Sequence, residues 1–294
     1  MNPMNTATHQ KFFTSIHTMQ IEQDINKIKN PDGSTNAKLL RITGENKALY
    51  KINVNPKPTS GLAVKTMSEH KRNMDLMYSE LGIEVTENLK FNRLDIAIDS
   101  ELDLNENLKY FCYVFELLTY SDRYANNIEI IDRKSIEYNA LSSRHKGFEL
   151  IVYDKAKESN NNSDFNTRME FRYKRIESSD YSLHFKKLIN RIKAMDSNID
   201  SFNAVCIKRI CDTYDRELTQ NRVLSLSAFV GMYDRYIFTY EILAGLYSHA
   251  KLKTPLKQWL NDIRKSRNIE YFNKTVIKQF KAKIMRSIKI FQNN

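Results

Sequence analysis

The stretch from Leu141 to Glu177, LSSRHKGFELIVYDKAKESNNNSDFNTRMEFRYKRIE, constrains the fold of this 294-residue chain more than any other. Two strand-like runs, Phe148 to Lys155 and Thr167 to Lys174, flank the segment SNNNSDFN, whose Asn, Ser and Asp content suits a turn or loop. A strand sends alternate side chains to opposite faces, so Glu149, Ile151, Tyr153 and Lys155 share one face of the first run. On the second run Arg168, Glu170, Arg172 and Lys174 share a face, with Met169, Phe171 and Tyr173 behind them. A phenol, a carboxylate and several cations therefore meet on one sheet surface, which suits phosphate chemistry better than it suits a core.

The rest of the chain supplies the surroundings. Residues 1–30 hold a weakly amphipathic piece, FFTSIHTMQIEQDINKIK, with no readable role. Lys38 to Asn55 predicts a hairpin, Ser68 to Leu81 a helix, and Phe91 to Asp99 a two-faced strand with acids on one side. Asn105 to Leu118 predicts a helix whose aromatic face packs on that sheet, and Asn127 to Asn139 another pair of strands. Beyond Tyr181 the pattern is helical: SLHFKKLINRIKAM, FNAVCIKRICDTYDREL, LSAFVGMYDRYIFTYEILAGLYSH and a basic region from Pro255. The expected class is α+β, a mainly antiparallel sheet domain over residues 1–178 followed by an all-helical basic region over residues 179–294.

Charge narrows the partners. The chain carries 46 Lys and Arg against 35 Asp and Glu, a formal net charge of +11, which favours nucleic acid first and an anionic membrane surface second. Between Lys251 and Lys289 the bases outnumber the acids Asp262 and Glu270 so heavily that nearly all the net charge lies there. Ile277, Phe280, Ile284, Ile288 and Phe291 recur at helical spacing in that region, so its last helix should bury one side. The other side would present Lys278, Lys281, Lys283 and Arg286 to DNA. Three cysteines without C-x-x-C spacing argue against a disulfide framework or a thiolate zinc site. No apolar run is long enough to span a bilayer and no secretion signal opens the chain, so a cytoplasmic location is expected.

Asp95 and Asp99 share a face of one strand, and Glu170 joins them if the two strands are neighbours. Three carboxylates with water suit Mg²⁺ or Mn²⁺, which withdraws charge from a phosphodiester oxygen. Tyr153 is then the candidate nucleophile, with Lys155 and Arg172 as cations that favour its phenolate. Arg93, Arg144, Lys146, Arg168, Arg172 and Lys174 are the candidate DNA contacts around it. Each residue taken singly also fits a structural role: acids and arginines form cross-strand ion pairs, and a strand tyrosine usually belongs to a core.

The blocks RLDIAID (Arg93 to Asp99), FELIVYDKAKE (Phe148 to Glu158) and TRMEFRYKR (Thr167 to Arg175) resemble the signature blocks of the Rep_trans family, the rolling-circle replication initiators of plasmids from Gram-positive bacteria. The resemblance covers about Lys90 to Arg175. It implies an HUH-endonuclease-like nicking domain in which acids replace the histidine pair, with Tyr153 as nicking nucleophile and metal-binding acids among Asp95, Asp99 and Glu170. It further implies a covalent phosphotyrosine intermediate, origin DNA as duplex and single-stranded hairpin, a homodimer and a host helicase as partner. Ile151 departs from the pattern, standing where the family often has an arginine. A conjugative relaxase with the same domain, and a non-catalytic initiator that binds repeated DNA sites, are the alternative functions.

Overall fold

The computed structural model describes residues 11–24, 37–44, 47–53, 66–81, 91–120, 141–145, 147–159, 163–174, 181–233, 238–267 and 274–293. The strand pair expected over Asn127 to Asn139 lies outside them, as does Lys146. The described residues fall into two compact units, one drawn from Met1–Glu106, Lys134–Asn190 and Lys281–Asn294, the other from Asn107–Arg133 and Arg191–Phe280. The units interleave along the chain, whereas the sequence suggests one changeover near residue 178.

The first unit is built on a seven-stranded antiparallel sheet. Its strands are β1 (Phe12–Asp24), β2 (Ala37–Gly44), β3 (Lys47–Asn53), β4 (Phe91–Ser100), β5 (Leu141–His145), β6 (Phe148–Asp154) and β7 (Thr167–Lys174), in spatial order β2-β3-β1-β4-β7-β6-β5. Helix α1 (Met67–Leu81) matches the expected helix, and β2 and β3 match the expected hairpin. The fold is thus α+β, as the element pattern predicts.

β1 is a finding, because residues 12–24 do not alternate cleanly. Ile16, Met19 and Ile21 are all buried, yet Ile16 and Met19 are three apart and an unbroken strand would point them to opposite faces. A β-bulge resolves this. Ile16 pairs with Ile96 and Thr18 with Asp95, so His17 is one residue more than β4 can match. The extra residue restores the phase and leaves His17 on the polar side.

The apolar face of the sheet carries Ile16, Leu94, Ile96, Ile98, Leu150, Val152, Met169 and Phe171, all buried. Two helical segments of the same unit lie against it. The start of helix α4 (Tyr181–Thr219) sets His184 edge-on to the Tyr173 ring. The end of helix α8 (Lys274–Asn293) reaches Thr14, whose hydroxyl lies 2.7 Å from that of Ser287. Phe185 and Phe291 stack between these two segments, with centroids 5.6 Å apart. Burial of this many large side chains, each about 1.5–3 kcal/mol, holds the sheet flat against its helices and leaves the opposite face to polar groups.

The second unit is helical. It contains α2 (Leu108–Thr119), most of α4, α5 (Leu226–Met232), α6 (Tyr240–His249) and α7 (Leu256–Arg267). The two helices expected across residues 182–218 are one helix of 39 residues, and the helical segment expected from Leu226 to His249 is two helices. The aromatic face of α2 has partners within this unit, where Tyr113 meets Phe202 at 5.4 Å and Tyr110 meets Phe280 at 5.5 Å. Arg191 and Asn198 of α4 donate to the carbonyls of Leu118 and Leu117, groups at the helix end that have no intrahelical donor. Ser225 and Thr239 cap α5 and α6 through their hydroxyls. No described helix is long and apolar enough to cross a membrane.

Candidate active site

Three adjacent strands bring the predicted residues onto one surface. Asp95 of β4 pairs with Arg172 of β7, which pairs in turn with Glu149 of β6. Two residues along, Ala97 pairs with Glu170 and Glu170 with Ile151. Two further, Asp99 pairs with Arg168 and Arg168 with Tyr153. Tyr153 and Glu170 are therefore diagonal neighbours, a separation that long side chains bridge. The phenol of Tyr153 donates to Oε1 of Glu170 at 2.7 Å.

The opposite flank of β4 supplies the residue that sequence reasoning missed. The bulge places Nδ1 of His17 at 3.5 Å from the same Oε1 of Glu170. His17, Asp95 and Glu170 each offer a ligand atom, and these lie within 4.8 Å of one another. Two carboxylates and an imidazole suit a divalent cation, and the carboxylates alone suit Mg²⁺ or Mn²⁺. His17 is a third exposed, whereas Asp95 and Glu170 are almost fully buried, so the cluster is open from the histidine side. The readable signal for His17 is the break in phase between Ile16 and Met19.

Asp99 is held differently. Arg168 donates to both its oxygens at 2.6 and 2.9 Å, and Asp99 is not in the three-residue cluster. Arg93 grips Asp95 in the same two-pronged way at 2.7 and 2.5 Å. Arg172 donates to Oε2 of Glu170 at 2.9 and 2.6 Å and stands 3.7 Å from Glu149, which also pairs with Lys174 at 2.9 Å. Of the cations predicted to contact DNA, Arg93, Arg168, Arg172 and Lys174 thus meet around the site. Arg144 of β5 pairs in register with Glu149, with its side chain outside the described residues.

Lys155 requires correction. Strand β6 ends at Asp154, which caps the short helix α3 (Lys155–Glu158) by accepting from the Lys157 amide at 2.8 Å. Lys155 therefore does not continue the alternation with Tyr153, and its ammonium pairs with Glu158. The cation that acts on the phenol is Arg168, whose charge favours the phenolate.

The charges set opposed proton affinities on one hydrogen bond. Burial, and then the charge of Glu170, push the Tyr153 phenol well above its ordinary range, with Arg168 opposing the rise. Burial alone would raise Glu170 too, but the charges of His17 and Arg172 and the bonds from Tyr153 and Arg172 bring it down to about 2. Burial lifts Asp95 above its usual value despite Arg93. The resting site therefore holds a protonated phenol against an ionised carboxylate.

In helix α8 the stripe Ile277, Phe280, Ile284, Ile288 and Phe291 is buried, as its spacing predicts. Lys278 and Arg286 are exposed, while Lys281 and Lys283 are half-buried, so the four predicted cations do not form one even face.

No family model and no curated protein matches the chain. Among solved structures, one titled "Structure of Rolling Circle Replication Initiator Protein from Geobacillus stearothermophilus" is similar at 11% identity and a TM-score of 0.28, covering 88% of this chain and 98% of that one. A likeness of that size leaves function to be argued from the side chains.

Proposed function

We propose that the chain is a DNA nicking and strand-transfer protein that starts rolling-circle replication, with Tyr153 as nucleophile. The observation that carries this reading is the hydrogen bond from Tyr153 to Oε1 of Glu170, the oxygen that also lies 3.5 Å from Nδ1 of His17. A tyrosine placed beside a set of metal-type ligands and ringed by Arg93, Arg168 and Arg172 has what transfer to a phosphodiester requires.

His17, Asp95 and Glu170 would hold Mg²⁺ or Mn²⁺, which when bound supplies Lewis-acid withdrawal of charge from a phosphate oxygen. The phenol oxygen of Tyr153 attacks the scissile phosphorus, forming a phosphotyrosine bond as the bond to the 3′-oxygen breaks. The phenol proton passes through water to the departing 3′-oxygen, so the step needs no further acid or base, and Glu170 orients the phenol by accepting its hydrogen bond. Arg168 favours the phenolate, and Arg93 and Arg172 offer donors to the phosphate. In the resting site the phenol stays protonated. A second copy of the chain and a host helicase are the further partners this reading assigns.

The test is cleavage of a labelled, randomised single-stranded DNA pool with Mg²⁺ or Mn²⁺. Wild-type protein is expected to nick and to lose the activity on chelation, and Tyr153→Phe to nick nothing. Tight DNA binding without cleavage under either metal would favour a non-catalytic initiator, in which the bidentate arginine pairs simply brace the sheet.

A further inference from the structure

We infer that Phe13 and Phe165 form a platform on which a base of single-stranded DNA stacks, holding the strand in place beside Tyr153. The inference deepens the proposed function and rests on it for the identity of the strand.

Register puts Phe13 on the side of the sheet that carries the site. Phe13 pairs with Asp99, Asp99 with Arg168 and Arg168 with Tyr153, one row across β1, β4, β7 and β6. Three strand spacings of about 4.8 Å separate the backbones at the two ends of that row, roughly 14 Å in all. Phe165 reaches the same place from the turn before β7. The two rings lie 13° from parallel with centroids 5.9 Å apart. Parallel rings at that separation are offset, which leaves part of each face open.

Both backbones are pinned. Asn166 donates from its amide to the Ser100 carbonyl at 3.0 Å and from its side chain to the Glu101 carbonyl at 2.7 Å, and its own carbonyl accepts from the Lys155 amide at 2.7 Å. The Phe165 amide donates to the Ser163 hydroxyl at 3.1 Å. Two residues before Phe13, the Lys11 amide donates to the Glu101 carboxylate at 3.0 Å. The platform is therefore preorganised, and a ligand that lands on it loses little to ordering.

Burial separates this pair from a core. The side chains of the apolar face are buried, whereas Phe13 and Phe165 are both half-buried, on the polar face and next to the Asp99–Arg168 ion pair. Lys11 on β1 and Lys157 in α3 are exposed at the same end of the sheet. Open aromatic faces flanked by cations are what a single strand requires, since any base can stack on the ring while the cations take the phosphates. A base inside a duplex already has both faces covered and cannot use the platform. A stacked strand rises about 3.4 Å per nucleotide and a splayed one more, so the held base lies within about four nucleotides of the scissile phosphate. Phe13 and Phe165 are thus positioning residues, which fix the strand so that the phosphate meets the phenol.

The test is anisotropy titration, without metal, of a short oligothymidine and of an abasic oligonucleotide of equal length. Both strands carry the same phosphates, so the ratio of their affinities reads base stacking. Wild type is expected to favour oligothymidine by roughly fivefold or more. Phe13→Leu with Phe165→Leu keeps apolar bulk without a ring and should bring the ratio close to one, whereas Phe165→Tyr should retain it. Circular dichroism checks the fold, and if the double variant does not fold, Phe165→Leu alone must lower the ratio. Equal affinities in wild type, or a ratio unchanged by the leucine variants, overturns the inference. So does a change of oligomeric state on Phe165→Leu in light scattering, which would make the pair a contact between copies of the chain. No cleavage enters the assay. A ring-dependent ratio in a protein that never nicks keeps the platform and ends the nicking reading, and nicking with a ring-independent ratio does the reverse.

Discussion

The phenol of Tyr153 donates to Oε1 of Glu170, and that oxygen lies 3.5 Å from Nδ1 of His17 on the far side of β4. One carboxylate oxygen thus ties the proposed nucleophile to the proposed cation site. His17→Ala should accordingly weaken Mn²⁺ binding to the protein alone by at least roughly the tenfold that follows loss of even an outer-shell partner. Calorimetric titration measures this without any reaction, and an unchanged affinity would remove His17 from the site.

The Asp99–Arg168 pair is buried and bidentate, so removing one partner strands a charge. Arg168→Met should cost about 3–5 kcal/mol in urea unfolding. Adding Asp99→Leu to it should recover most of that loss, because the stranded carboxylate is gone. A single-variant cost below about 1 kcal/mol would mean the pair is solvated.

His70 is fully buried in α1, with neither ring nitrogen hydrogen-bonded among the described residues and its ring edge-on to Tyr181. Burial, with a smaller push from Lys71, lowers it to about 4. The unfolded chain then binds the extra proton between about pH 4 and the ordinary value of 6.5, so stability rises with pH across that window and is complete above it. The span is worth roughly 3 kcal/mol at most. Thermal unfolding from pH 4 to 7 should show this slope in wild type and a flatter one in His70→Phe.

Gly147, at the β5–β6 turn, has a φ of 74°, and a Cβ there would meet the Lys174 carbonyl at 3.3 Å. Gly147→Ala should destabilise by about 1–2 kcal/mol, the cost of left-handed backbone for a residue with a Cβ. Gly147→Asn should cost less, since Asn tolerates that region. Urea midpoints rank the three proteins.

Much of this architecture is legible from local pattern. The alternation in Phe91 to Asp99, Phe148 to Asp154 and Thr167 to Lys174 fixes which side chains share a face, and antiparallel pairing then brings Asp95, Glu170 and Tyr153 together. What alternation cannot give is a place where it fails. His17 enters the site because β1 carries one residue too many, and a bulge reads in sequence as weak periodicity. Lys155 misleads for the converse reason. Its alternation with Tyr153 is perfect, but the Asp154 side chain captures the Lys157 amide and starts a helix. The separate hold of Arg168 on Asp99 depends on rotamers, which spacing does not encode.

The role of Tyr153 as nucleophile requires that it become joined to DNA. Mass spectrometry of protease- and nuclease-digested protein, after incubation with Mn²⁺ and the randomised single-stranded pool, reads that bond itself. The expected product is a nucleotide phosphate on the peptide carrying Phe148 to Lys155, fragmenting to Tyr153, absent without metal and absent in Tyr153→Phe. A covalent adduct on a different residue, or none while the protein holds DNA tightly, would show that Tyr153 is not the nucleophile.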